Sequence, residues 1–223
     1  MKRYFITGTD TDCGKTYITT RLVNFFPNSA AIKPVATGCA LIEGQLVNSD
    51  AQYLQQNSSL SLEVINPWRF KSPVSPHIAA KEHGVELSIG ELADYCMNLQ
   101  MPGIDTLFIE GAGGLMVPLN DKETWIDFLA QTKIPAILVV GMKLGCINHA
   151  LLTAAALKAN RIECVGWIAN CIHSEMLALT ENINTLQKML DVPLLAVAPY
   201  SGDLIPKSEW LQIPTQVAPL GPT

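Results

Sequence analysis

Tyr4-Phe5-Ile6-Thr7-Gly8-Thr9-Asp10-Thr11-Asp12-Cys13-Gly14-Lys15-Thr16 carries a short apolar strand into a turn and then into a helix. Backbone N–H groups of such a turn can curl around a phosphate, and the N-terminus of the following helix adds positive potential. The stretch therefore predicts a nucleoside triphosphate site at the end of a strand. Lys15 is placed to reach the outer phosphates and the Thr16 hydroxyl to bind Mg²⁺. Five residues separate Gly8 from Gly14, one more than in the common G-x-x-x-x-G-K-[ST] pattern, so Thr9 stands where the first glycine usually does. Gly14-Lys15-Thr16 is nonetheless intact, and Tyr17 to Val23 continues as a helix.

The same order of strand then helix recurs along the chain. Apolar runs at Tyr4–Thr7, Ala30–Val35, Thr106–Glu110, Ala136–Val140, Cys164–Ala169 and Leu194–Val197 read as strands. Helical periodicity appears near Lys15–Phe25, Ile89–Leu99, Asn148–Ala159 and Met176–Leu190. Strands that do not alternate with polar residues are buried on both faces, so the expected fold class is α/β: a mainly parallel β-sheet with helices on both faces, P-loop NTPase-like. With 223 residues the chain fits one large α/β domain, 1–223. The segment from Gly38 to Pro76 shows no long regular pattern and reads as an excursion over one face. The Pro-rich tail after Pro199 is irregular.

Charge narrows the partners. The net charge of −5 argues against a general nucleic-acid or anionic-membrane surface, both of which need a basic field. The richest apolar run, Pro135 to Gly141, is too short to span a bilayer. Basic Met1-Lys2-Arg3 is followed by only three apolar residues, too few for a signal-peptide core. The six cysteines show no C-x-x-C pair or zinc-like spacing and read as reduced thiols, so a cytoplasmic location is expected.

In a doubly wound sheet, ligands collect beyond the carboxyl ends of the strands. Lys33 and Thr37 follow the second strand, Glu110 closes the third, Lys143 follows the fourth and Asn170 the fifth. Glu110 enters Gly111-Ala112-Gly113-Gly114, whose bare backbone can approach phosphate, and is the first metal candidate. Mg²⁺ takes a few hard oxygen ligands beside phosphate and water, so Thr16, Glu110 and Asp50 form a sufficient set. Lys33 supplies a second cation near Lys15, suited to charge on a transferring phosphoryl group.

These segments, with Lys33-Pro34-Val35-Ala36-Thr37-Gly38, Asn48-Ser49-Asp50-Ala51, Ser75-Pro76-His77-Ile78, Ile109-Glu110-Gly111-Ala112-Gly113-Gly114 and Val140-Gly141-Met142-Lys143-Leu144-Gly145-Cys146-Ile147-Asn148-His149-Ala150, resemble the dethiobiotin synthetase family from Phe5 to about Pro199. The lengthened phosphate loop is itself typical of that family. The resemblance implies ATP- and Mg²⁺-dependent closure of a cyclic urea from 7,8-diaminononanoate and CO₂, by a homodimer. It implies that Thr16, Asp50 and Glu110 hold Mg²⁺, and that Asp12, Cys13, Gly14, Lys15, Thr16 and Tyr17 hold the phosphates, with Gly111, Ala112 and Gly113 alongside. Lys15 and Lys33 take catalytic roles at the carbamate and γ-phosphate, Thr11 and Thr37 contact the diamine, and Asn170 with Cys171 meets the adenine. Pro199, Tyr200 and Ser201 border the nucleotide. Gly145, Cys146, Ile147 and Asn148 of a second subunit receive the substrate carboxylate.

Many members have Glu at Asp12, Ser at Thr37, an aromatic residue at Leu115 and Asp at Cys171. The last difference replaces an acceptor in the adenine pocket by a weakly accepting thiol. Two other readings share the phosphate loop. A cobyrinate-type amide synthase carries a glutaminase domain, for which no length remains. A ParA- or MinD-like nucleotide switch wants a basic surface or an amphipathic terminal helix.

Overall fold

The structure, a computed structural model, describes residues 1–207. In chain order its elements are β1 (Lys2–Gly8), α1 (Lys15–Phe25), β2 (Ser29–Ile32), β3 (Val35–Ala36), β4 (Ala40–Ile42), β5 (Gln45–Val47), α2 (Ser49–Gln56), α3 (Leu62–Ile65), β6 (Trp68–Arg69) and α4 (Pro76–Glu82). They continue with α5 (Ile89–Asn98), β7 (Thr106–Glu110), α6 (Trp125–Thr132), β8 (Ala136–Gly141), α7 (Cys146–Ala159), β9 (Cys164–Asn170), α8 (Leu179–Met189), β10 (Leu194–Ala198) and β11 (Ile205–Pro206).

Seven strands form one sheet in the order β11-β10-β9-β8-β1-β7-β2, parallel throughout except for β11. The expected α/β class is thus observed. Every residue of β7 and β8 is buried, because helices cover both faces. Successive side chains alternate between those faces. Ile6, Phe108, Ile137 and Val139 meet α1 and α2 through Ile18, Leu22, Ala51 and Leu54. On the other face, Phe5, Leu107 and Ile109 pack with Leu92 of α5 and Phe128 of α6. Leu138, Val140 and Trp167 pack there under α7 and α8. Among the described residues no helix is long and apolar enough to cross a membrane.

β1 is the pivot of the topology. After β1 the chain lays down β2, returns to place β7 between β2 and β1, and then builds on the other side of β1 through β8, β9 and β10. A crevice opens at such a reversal, beyond the carboxyl ends of the strands. The turn from Gly8 to Thr16 leaves β1 at that point.

Several expectations need correction. The second strand stops at Ile32 rather than Val35, because Pro34 has no N–H for a ladder. Val35 and Ala36 pair instead with Trp68 and Arg69 outside the main sheet. The excursion is also more regular than its sequence suggested: it holds the β4–β5 hairpin, α2 and α3. The Asn48 side chain caps α2 by accepting from the Asp50 and Ala51 N–H groups at 3.1 and 3.2 Å. Helix α6 was not anticipated, although Thr124 and Asp127 form a reciprocal capping box at its start. Helices α7 and α8 start at Cys146 and Leu179 rather than Asn148 and Met176. Residues 208–223, most of the tail after Pro199, lie outside the described residues.

Trp125 ties the core to the site. Its ring packs on Phe5 and Phe128 at 5.2 and 5.5 Å, and its indole Nε1 donates to the Ala112 carbonyl at 3.0 Å. Trp125→Phe removes that donor from a buried carbonyl and is expected to lower the unfolding free energy by about 1–3 kcal/mol. Denaturant unfolding checks the loss, and nucleotide titration should show weaker binding as the 111–114 turn loosens.

Candidate active site

Glu110 is the floor of the site. It is completely buried at the end of β7, a position costly for a charge unless it is paired. Its Oε1 accepts from the Thr16 hydroxyl at 2.6 Å and from Lys33 Nζ at 3.0 Å. Lys33 Nζ also forms an ion pair with Asp50, so one ammonium bridges two carboxylates. Burial pushes the Lys33 pKa down, but Glu110 and Asp50 outweigh it and leave the pKa above the ordinary lysine value. The side chain is therefore a cation at any physiological pH.

The second oxygen, Glu110 Oε2, is buried and has no partner. A buried acceptor left in this way costs free energy that a bound cation would relieve. Thr16, Glu110 and Asp50 offer the hard oxygens Mg²⁺ prefers, so the residues present fit the ion. Among the described residues no cluster of three or more His, Cys, Asp and Glu side chains is arranged for a metal. The set here has two carboxylates and a hydroxyl, leaving the remaining positions to phosphate and water.

The phosphate turn is held without spare room. Gly14, at φ +81°, has a conformation that disfavours a side chain, and a Cβ there would lie 2.2 Å from Asn170 Nδ2. Asn170 itself donates to the Cys13 carbonyl at 2.9 Å. Lys15 lies back along the turn, its Nζ donating to the carbonyls of Asp10 (2.8 Å) and Thr11 (3.3 Å). The first turn of α1 then opens toward the cleft.

A cleft of about 470 Å³ is lined by Thr11, Asp12, Gly14, Lys15, Thr16, Tyr17, Lys33, Asp50, Glu110 and Gly113. Ser49 and Tyr53 line it too, and sequence reading did not select them. Their signal was the Asn48 cap: it starts α2, on which Asp50 and Tyr53, three apart, share a face.

Other expected residues lie elsewhere. Cys13 is buried beneath the turn, and Gly111 and Ala112 stand behind Gly113. Thr37 does not line the cleft; its carbonyl accepts from Asn48 Nδ2 at 3.2 Å. Cys171 packs in the apolar cluster under α7 and α8, and burial raises its thiol pKa. Pro199, Tyr200 and Ser201 form a turn over α1, where Tyr17 donates to the Gly202 carbonyl and Arg21 pairs with Asp203 at 2.8 Å. Gly145, Cys146, Ile147 and Asn148 lie at the start of α7 and do not line the cleft; Leu144 before them is fully exposed. His77 opens α4 beside Ser75, its ring 3.0 Å from the hydroxyl.

A family profile described as an AAA domain matches residues 2–208. The chain is similar to the ATP-dependent dethiobiotin synthetase of Legionella pneumophila strain Paris, 64% identical over 204 residues, which cover 92% of this chain and 96% of that one. It is 41% identical to the ATP-dependent dethiobiotin synthetase of Pseudoalteromonas translucida over 207 residues, covering 90% and 91%. Among solved structures, the septum site-determining protein MinD with Mg-ADP from Pyrococcus horikoshii superposes with a TM-score of 0.54 at 19% identity, covering 89% of this chain and 81% of that one. The cell division protein FtsY of Thermotoga maritima gives 0.53 at 14% identity, covering 95% and 68%. The two structural likenesses share a fold with this chain, whereas identities of 64% and 41% along nearly the whole of both sequences make it a member of the ATP-dependent dethiobiotin synthetase family.

Proposed function

We propose that this chain is an ATP-dependent dethiobiotin synthetase that joins the two amines of 7,8-diaminononanoate through CO₂. The observation that carries the mechanism is the Lys33 ammonium held between Asp50 and Glu110 beside Thr16. One amine takes up CO₂ as a carbamate and loses a proton. A carbamate oxygen then attacks the γ-phosphorus of ATP, giving a carbamic-phosphoric anhydride and ADP. The second amine attacks the carbonyl carbon, phosphate leaves, and the ring closes with loss of another proton.

A carbamate is a weak nucleophile, so rate enhancement comes from alignment and from cations facing the crowded anions. Lys33, rigidly held, offsets charge between the carbamate and the γ-phosphate. Lys15 exchanges its two carbonyl acceptors for phosphate oxygens, a short motion from its rest position on the turn. Thr16, Asp50 and Glu110 would hold Mg²⁺, which supplies positive charge to the outer phosphates. Asp12 to Tyr17 and Gly111 to Gly113 offer backbone to the phosphates, while Thr11 and, from outside the cleft's own lining, Thr37 are assigned to the diamine. Asn170, Cys171 and the Pro199–Ser201 turn are assigned to the base. The six free thiols suit a reducing compartment, and we assign the enzyme to the cytoplasm.

The substrate carboxylate belongs, in this reading, to a second copy. Helix α7 begins after Gly145 (φ +90°) with no side-chain cap; the Cys146 N–H donates to the Lys143 carbonyl at 3.0 Å, and the following first-turn N–H groups are left for an anion. The start of α7 does not line its own cleft, and we assign completion of the site to a homodimer.

Lys33→Ala should leave ATP binding within a few-fold and reduce turnover by about 10²–10⁴, the scale of one lost preorganised contact. It should also cost about 3–5 kcal/mol of stability without nucleotide, because Glu110 stays buried without its cation. Lys15→Ala should damage binding and turnover together. Mass spectrometry of dethiobiotin formed from bicarbonate and diamine, with nucleotide titration and unfolding of each variant, reads these effects; no product from the wild type would defeat the assigned function. Asn148→Trp should raise the diamine KM with little change in ATP binding, and an active monomer in ultracentrifugation would defeat the shared site.

A further inference from the structure

The phosphate turn is braced by the ends of β8 and β9. On the β9 side Asn170 donates to the Cys13 carbonyl. On the β8 side Gly141 meets the turn bare, since a Cβ there would lie 2.9 Å from Cys13 Cα. Two residues later Lys143 forms an ion pair with Asp10, the side chains 31% and 26% exposed. That shielding lifts the pair above the near-zero contribution usual for fully exposed ones. The hydrogen bond to Asp10 raises the Lys143 pKa, and Asp12 adds to it.

Asp10 is gripped at two points. Its carboxylate meets Lys143, while its carbonyl is an acceptor for Lys15 at 2.8 Å. Its second carboxylate oxygen, Oδ1, is buried and unpartnered. An acidic group thus stands in the wall of a turn that has to admit a triphosphate. Left without a counter-charge it would repel that ligand, and nothing would fix the carbonyl on which Lys15 rests.

We propose that Lys143 is a positioning residue of the phosphate turn: it neutralises Asp10 and fixes the carbonyl that holds Lys15. This rests on the synthetase reading for its effect on turnover, but not for its effect on nucleotide binding. Lys143 touches no reacting atom; it acts through Asp10.

A double-mutant cycle tests it, with Lys143→Met, Asp10→Asn, the pair together and Lys143→Arg. ADP affinity is measured by calorimetry and dethiobiotin formation by steady-state kinetics. Lys143→Met should weaken ADP binding and lower kcat/KM for ATP by about tenfold or more, with the diamine KM moving less than about twofold. The double variant should recover most of that loss, because the uncompensated carboxylate is gone, and Lys143→Arg should stay near wild type. ADP binding and turnover by Lys143→Met within about twofold of wild type would overturn the proposal. So would a double variant as impaired as Lys143→Met, which would make Lys143 a direct phosphate ligand. If Lys143→Met does not fold, the double variant and Lys143→Arg decide in the same sense. Because ADP binding needs no turnover, an inactive wild type would refute the synthetase reading while leaving the cycle on ADP readable.

Discussion

A carboxylate with no access to water organises this molecule. Glu110 ends a strand buried on both faces, and an ion there is tolerated only beside a cation and hydrogen-bond donors. Lys33 is that cation, and much of the excursion between β3 and α4 serves to hold it. Asn66, itself fully buried, donates to the carbonyls of Lys33 (2.8 Å) and Pro34 (3.2 Å). Asn48 caps the helix that presents Asp50 to the same ammonium. The break in β2 at Lys33-Pro34, costly to a sheet, turns the lysine out of the ladder and into the cleft.

The phosphate turn follows a second constraint, the absence of side chains where elements touch. A Cβ on Gly8 would lie 2.3 Å from Cys13 Sγ, and one on Gly14 would collide with Asn170. Cys13 is thus a small buried plug that sets the turn against β8. A turn packed this closely is shaped before nucleotide arrives, so binding spends little on ordering it.

The alternation of strand and helix was legible because buried parallel strands leave continuous apolar runs, as in Ala136–Val140. The phosphate turn and Glu110 were legible because local chemistry defines them. Helix α6 was not: eight residues beginning Trp125-Ile126 look like a strand, and its capping box uses Asp127 where Glu or Gln is usual. Ser49 and Tyr53 were hidden in a segment whose order comes from tertiary caps rather than periodicity. Cys171 and the residues Gly145 to Asn148, expected at the base and the substrate carboxylate, do not line the cleft; Cys171 and Cys146 pack into the apolar cluster with α8, a tertiary placement that no local pattern announces.

The turn after β10 also bears on the edge of the sheet. Tyr17 and Arg21 secure residues 202 and 203 to α1, and the chain then folds back as β11 to pair antiparallel along β10. Without that short strand, β10 would offer a row of unpaired amide and carbonyl groups to any other extended chain. Pro206, which lacks an N–H, blunts the rim that β11 presents in turn. A segment bordering the site therefore also protects the sheet from edge-to-edge aggregation, and changes that loosen its hold on α1 weaken solubility as well as the site.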